Sequence, residues 1–332
     1  PSMGQQKFPE IGFSQFAIMK EATKADAAII SFGRQAGEGI DREIEGDFNL
    51  TPDEMQLLTE VTTAFHQAGK PVIVIINSGS VIETASWKSL PDAILVAWQP
   101  GMEGGNSVAD ILTGKANPSG KLTMTWPLHA TDHPSTKNFP QPMDLYTYNT
   151  MYDWNKSVSG YQHTNHDEDI YVGYRYFDTF GKDVSYPFGY GLSYTDFEYS
   201  KPAVSRKGDE IIVSVTVKNT GKTAGKEVVQ VYVTAPDGTL EKPAKELKTF
   251  GKTRELQPGE SETLRMTLRH RDLASFDEEQ SAWVVDPGTY KFHIAASAAD
   301  VRATVPLTVD GFTEKTTDAL KPQMPLHRLT RK

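Results

Sequence analysis

Apolar residues along the first third of the chain fall into short unbroken runs separated by helical spacing. Ala27–Phe32 (AAIISF), Pro71–Ile76 (PVIVII) and Ala93–Ala97 are apolar and largely β-branched, the pattern of strands buried on both faces. Between the first two, Met55, Leu58, Val61, Thr62 and Phe65 recur at helical spacing. Thr51-Pro-Asp-Glu54 opens that helix: Thr51 stands at the N-cap, Pro52 at the first helical position, and Glu54 completes a capping box. Gly69 ends it. The pattern further predicts a short helix around Ile82–Trp87, a helix from Gly104 to Leu112 and a last strand at Lys121–Thr125. Strands alternating with helices predict an α/β layered domain whose mostly parallel sheet is covered on both faces.

The texture changes twice more. From 127 to 199 prolines cluster, aromatics are dense and no period is sustained, as in an ordered linker pinned by its tyrosines. From 200 onward the alternation has period two, in Ile211–Asn219, Val228–Thr234, Leu264–Leu268 and Tyr290–Ala295. Turn residues separate these runs at Asn219-Thr-Gly221, Asp237-Gly238, Pro258-Gly259 and Asp286-Pro-Gly288. About seven short strands with regular turns predict an all-β sandwich of fibronectin III type, since an antibody-like disulfide has no cysteines to form it. The expected organisation is therefore a partial α/β domain over 1–126, a linker over 127–199, a fibronectin III-like sandwich over 200–311 and a surface tail over 312–332. Nothing in the alternating strands spells out a carboxylate or aromatic constellation, so the expected role of the sandwich is to brace the rest.

Composition narrows the chemistry. The 332 residues are 38% hydrophobic, enough for ordinary cores, and 34 Lys and Arg against 43 Asp and Glu leave a charge of −9. With no basic stripe, nucleic acid is not an expected partner. The lack of cysteine excludes thiol nucleophiles, disulfides and Cys-ligated zinc. No apolar run approaches the roughly 20 residues needed to cross a bilayer, and Pro1-Ser-Met-Gly-Gln-Gln-Lys7 is not a signal peptide. No Gly-x-Ser-x-Gly, phosphate loop or His-Glu-x-x-His is present, which leaves esterase, nucleotide and zinc-protease readings unsupported. No cofactor or metal is expected.

One local feature carries chemistry. The strand Ala27–Phe32 feeds a loop, Gly33 to Arg42, that holds Glu38 between Gly37 and Gly39. Glycines on both sides allow the backbone close to a ligand, and ligands of open α/β sheets bind beyond the carboxyl ends of strands. A lone carboxyl group there can serve as a proton donor. The spacing alone favours a solvated turn with an idle acid.

An ordered series of segments raises the first reading. Gly37-Glu-Gly39, Gly46-Asp47 before a Leu-Thr-Pro helix start, Asn77-Ser-Gly79, Trp98-Gln-Pro-Gly101 with Gly104, and Asn117-Pro-Ser-Gly-Lys-Leu122 come first. Asp169-Ile-Tyr-Val-Gly-Tyr-Arg-Tyr-Phe-Asp178 and Tyr186-Pro-Phe-Gly-Tyr-Gly-Leu-Ser-Tyr194 follow, then Asn219-Thr-Gly221, Gly225, Pro258-Gly-Glu260 and Arg271-Asp-Leu-Ala-Ser-Phe276. From about 25 to 311 the chain resembles family-three glycoside hydrolases, the β-glucosidase and β-xylosidase group. The resemblance implies a TIM barrel that supplies an aspartate nucleophile, then an α/β sandwich whose mobile loop supplies a glutamate acid/base, then often a fibronectin-like domain. Glu38 matches that glutamate, while Ile40 stands where many relatives carry an aromatic. No barrel can be read here, and the α/β pattern begins at its later strands. The chain is thus expected to be the C-terminal part of a retaining β-glycosidase, inactive without a barrel portion on another polypeptide or cleaved fragment. Asp41 and Asp47 are not assigned as nucleophile. The resemblance also implies a glycoside substrate and a periplasmic or secreted location. The alternative is a non-catalytic carbohydrate-binding or scaffold module, for which Glu38 would be dispensable.

Other candidates are weaker. Asp41 and Arg42 could orient Glu38, with ion pairing inside the loop as the plainer expectation. His163-Thr-Asn-His-Asp-Glu-Asp169 has a metal-like composition but irregular spacing, favouring a solvated acidic turn over cation binding at Asp167 or Asp169. Trp87, Trp98 and the group Tyr171, Tyr174, Tyr176 and Phe177 are expected to pack rather than to stack on sugar.

Overall fold

The computed structural model describes residues 10, 12–34, 42–137, 166–319, 321 and 326–331. They fall into two compact units, one drawn from Pro1–Ala116 and Trp126–Asp132, the other from Asn117–Thr125 and His133–Lys332.

In the first unit, strands β1 (Ala28–Arg34), β2 (Val72–Ser78) and β3 (Ala93–Val96) form a parallel sheet in that order. The register runs from Ala28 opposite Val72 to Arg34 opposite Ser78. Helix α2 (Pro52–Gln67) begins with the capping box read from sequence: the Glu54 amide donates to Thr51 Oγ1 at 3.1 Å, and the Thr51 amide donates to Glu54 Oε2 at 2.8 Å. Leu58 and Phe65 of α2 are buried, as are Ile30, Phe32, Val72, Val74 and Ile76 of the strands. Complete burial of such side chains is worth about 1.5–3 kcal/mol each. Helix α1 (Gln15–Ala22), capped by the Ser14 hydroxyl, precedes β1 and escaped the sequence pattern. Helix α3 (Gly104–Leu112) has the predicted bounds. The opposite sheet face is less covered than expected among the described residues: Ile29 is 56% exposed, and Ile73 and Ile75 are only half-buried.

Two predicted elements are absent. Ile82–Trp87 is not a helix: a turn spans Ala85–Ser89, and the Glu83 carboxylate accepts the Ser86 amide and hydroxyl, both at 2.7 Å. Lys121–Thr125 is not a strand. Its backbone makes a two-bond exchange through Leu122 with Gly189 and Tyr190, so it belongs to the second unit. Short strand β4 (Trp126–Pro127) straddles the expected boundary at 126/127, and strand β5 (Val184–Tyr186) and helix α4 (Tyr174–Thr179) lie in the region read as linker.

The second unit is built on antiparallel sheets. One has the order β10 (Ser261–Arg269), β7 (Glu210–Asn219), β6 (Phe197–Lys207). The other runs β14 (Val301–Val309), β13 (Gly288–Ala295), β8 (Val228–Thr234), β9 (Glu246–Lys252). Alternate residues Ile211, Val213, Val215 and Val217 of β7 meet Val229, Val231 and Val233 of β8 in one core with Phe292 and Ile294. A third sheet joins β11 (Ser275–Asp277), β12 (Ala282–Val285) and β15 (Phe312–Lys315). The expected surface tail thus contributes a strand: Phe312 pairs with Val285, an apolar residue facing a strand with pairing capacity left. No helix among the described residues is long and apolar enough to cross a membrane.

Strand β8 is buried on both faces, and that is what draws the linker in. The second face offers Gln230 and Tyr232. Gln230 Nε2 donates to the carbonyls of Gly189 and Ala296 at 3.0 and 2.8 Å, and the Tyr232 hydroxyl donates to Gln230 Oε1 at 2.6 Å. Tyr174 lies edge-on to Tyr232 at 5.6 Å and accepts the Leu247 amide at 2.7 Å. Gly189, at φ +79°, sits so close to the Gln230 amide that any Cβ would collide with it.

Candidate active site

Glu38, with Gly37, Gly39, Ile40 and Asp41, lies outside the described residues, but both flanks of 35–41 are described. Arg34 ends β1, its side chain only 8% exposed. Its two terminal nitrogens donate to the two oxygens of Glu54 at 2.8 Å each, the planar fork that suits arginine and carboxylate. Its Nε donates to the Asp47 carbonyl at 2.7 Å.

Arg42 reaches the same residue from the other flank. Its Nη2 donates to Asp47 Oδ1 at 2.8 Å and to the Asp47 carbonyl at 3.0 Å, and its Nη1 donates to Ser80 Oγ at 2.6 Å. Asp47 is 3% exposed, so its charge is held by arginine rather than by water. Asp47 therefore anchors both residues that bound the Glu38 segment, through one carbonyl and one carboxylate. A buried pair of this kind fixes geometry more surely than it adds stability. The arrangement fixes Arg34 at the carboxyl end of β1 in a parallel sheet, where α/β proteins bind ligands, and fixes Arg42 through the same residue.

Sequence reasoning found Glu54 as a helix cap and Arg42 as a loop residue. It missed Arg34, whose partner lies twenty residues away, and Ser80. The available signal was an arginine closing a strand just before a glycine-rich loop.

The remaining candidates serve packing or pairing. Trp87 is fully buried, edge-on to Phe32 at 5.8 Å, and its indole N–H donates to the Glu83 carbonyl at 2.6 Å. Trp98, at φ +53°, meets the edge of Trp126 at 6.1 Å. Tyr171 and Phe177 are buried, with Tyr171 5.0 Å from Phe180. Burial and the nearby Glu241 carboxylate push the Tyr171 hydroxyl up to about 12. Asp169 faces Arg328 at 3.5 Å, and the Asp167 carbonyl accepts the Leu329 amide at 2.6 Å, so C-terminal residues occupy this acidic turn. His163 lies outside the described residues. Among the described residues no group of three His, Asp or Glu could hold a metal ion. Several motif residues are architectural: Asn219 Oδ1 accepts from Thr195 Oγ1 at 2.6 Å and from the Gly221 amide at 3.0 Å, and Arg271 Nε donates to Glu314 Oε2 at 2.6 Å.

Comparison with known proteins identifies the family. Residues 14–194 match the glycosyl hydrolase family 3 C-terminal domain, and 227–298 match a fibronectin type III-like domain. The chain is 40% identical to β-glucosidase A of Butyrivibrio fibrisolvens over 85% of its length and 37% of that enzyme. It is 38% identical to a β-glucosidase of Ruminococcus albus, over 97% of the chain and 32% of the relative. Among solved structures, β-glucosidase 3B of Thermotoga neapolitana in complex with α-D-glucose superposes with a TM-score of 0.86 at 44% identity, over 95% of this chain and 42% of that one. The chain thus spans between about a third and two fifths of the length of these relatives. On the family match, on that identity and on the shared fold, the chain belongs to glycosyl hydrolase family 3, as its C-terminal domain joined to a fibronectin type III-like domain.

Proposed function

We propose that this chain is the acid/base-supplying part of a retaining β-glycosidase acting on terminal β-linked sugars, with a barrel portion outside these residues supplying the nucleophile. The observation that carries the reading is the Asp47 anchor: both ends of the segment holding Glu38 are tied to one buried residue at the carboxyl end of β1. The β-glucosidase names of the relatives support the substrate class.

Retaining hydrolysis needs two carboxyl groups about 5–5.5 Å apart. Glu38, protonated, gives its proton to the glycosidic oxygen as the bond from that oxygen to the anomeric carbon breaks and the nucleophile bonds to that carbon. The resulting Glu38 carboxylate then takes a proton from water, whose oxygen displaces the nucleophile. A group that both gives and takes a proton must approach from the side of the leaving group. We extend the proposal, on the family resemblance alone, to a periplasmic or secreted location.

The test is Glu38→Gln in enzyme completed with the barrel portion. Hydrolysis of cellobiose should fall by about 10²–10⁴. Aryl glucosides, whose leaving groups need little protonation, should suffer less in the first step, and azide should restore part of the turnover. Cellobiose hydrolysis at the parent rate would remove Glu38 from the mechanism.

A further inference from the structure

The second unit contains a cavity of about 460 Å³ that the chemistry above does not use. Its size falls within the roughly 300–1,000 Å³ typical of small-molecule sites. Three parts of the chain converge on it: Lys121, the Pro187–Phe197 region, and the sandwich, through Tyr199 of β6, Glu227 just before β8 and Arg302 of β14. Sequence reading found no constellation in the sandwich because these residues are brought together only by the fold.

The floor is a buried charge network. The Glu227 side chain is 6% exposed and that of Lys121 13%, with Lys121 Nζ 3.4 Å from the carboxylate. The Tyr199 hydroxyl donates to Glu227 Oε1 at 2.9 Å, and Lys121 Nζ also donates to the Gly191 carbonyl at 2.8 Å. A carboxylate offers about four acceptor positions and an ammonium three protons, so both retain capacity toward the cavity. Burial, with the neighbouring carboxylate second, pushes the Tyr199 hydroxyl well up, so it stays a donor. At the mouth Arg302 pairs with Asp300 at 2.7 Å and lies 5.8 Å from the Tyr199 ring centre.

We propose that this cavity is a second carbohydrate-binding site, which takes a neutral β-linked oligosaccharide. Two cations, Lys121 and Arg302, stand against three carboxylates, Glu227, Asp300 and Asp196, so the lining does not favour an anion. The lining combines donors on Lys121, Arg302 and Tyr199 with acceptors on Glu227, Asp300 and Asp196 and with the ring of Tyr190, the mixture that sugar hydroxyls and the apolar face of a pyranose call for.

The experiment is titration calorimetry of the full chain with cellobiose and cellotetraose. Saturable millimolar binding is expected, unchanged in Glu38→Gln. Arg302→Ala and Ala299→Trp, both at the open rim, should each weaken it by about tenfold without altering the circular dichroism spectrum. Arg302 lies over the Tyr199 ring but makes its ion pair with Asp300, so the unaltered circular dichroism spectrum is what separates lost binding from a folding defect. Absence of binding, binding indifferent to both rim variants, binding lost in Glu38→Gln, or tighter binding of gluconate than of cellobiose would each overturn the proposal.

Discussion

Asp47 illustrates how much of the site's frame is invisible one residue at a time. In sequence it is one acid after a glycine; in the fold it joins Arg34, which ends β1, to Arg42, which follows the Glu38 segment. Glu54 was legible as a capping box because that motif is local, but its second task as partner of Arg34 depends on a strand end twenty residues earlier. Glu54→Ala should therefore cost more than a lost cap. It leaves the 8%-exposed Arg34 without its carboxylate, which typically costs about 3–5 kcal/mol, against about 1 kcal/mol for a cap. Urea unfolding of the first unit checks it, and a loss no larger than the cap value would mean that Arg34 finds water instead. Gly189→Ala should likewise destabilise the second unit by about 1–3 kcal/mol, from a positive φ and a displaced Gln230 amide. A change within experimental error would show that the Gln230 side chain yields freely.

At the scale of elements, the periodic ones were readable and those fixed by distant partners were not. The cap residues set the start of α2, and alternation set β7 and β8, because each pattern contains its own cause. Lys121–Thr125 has strand-like residues but finds only one pairing, through Leu122. Strand β15 lacked a long alternating run and exists because β12 accepts it. A contact between elements also sets a pH dependence. The Asp92 carboxyl accepts the Val72 amide at 2.7 Å and faces His66 Nε2 at 2.9 Å, tying the residues before β3 to β2 and to the end of α2. The Val72 hydrogen bond first, and His66 second, hold this carboxyl below the usual range. A lowered acid contributes stability above its unfolded value and loses it as pH falls through the folded one. The stability gap between the parent and Asp92→Asn should thus be widest above about pH 5 and shrink below about pH 4. A gap constant down to strong acid, in urea midpoints taken across pH, would show that the carboxylate's charge contributes nothing.

For the whole molecule, the fold class was legible throughout, since buried strands and alternating strands leave distinct signatures. What pattern alone could not supply is whether the chemistry is complete. Two carboxyl groups are needed, and only Glu38 is proposed within these residues. The parallel sheet has an apolar side to bury on association: Ile29 is 56% exposed, and α1, α2 and β1 border a groove of about 400 Å³ lined by Phe13, Ile18 and Leu57 among others. Parallel sheets are normally covered on both faces. The most direct measurement is hydrolysis of aryl β-glucosides by residues 1–332 purified free of other chains, then by the same protein mixed with the N-terminal portion of Thermotoga neapolitana β-glucosidase 3B that it does not match. The account predicts no turnover at any pH for the chain alone, and activity sensitive to Glu38→Gln in the mixture. Turnover by the isolated chain that Glu38→Gln abolishes would place a second catalytic carboxylate within these residues and contradict the division of the site.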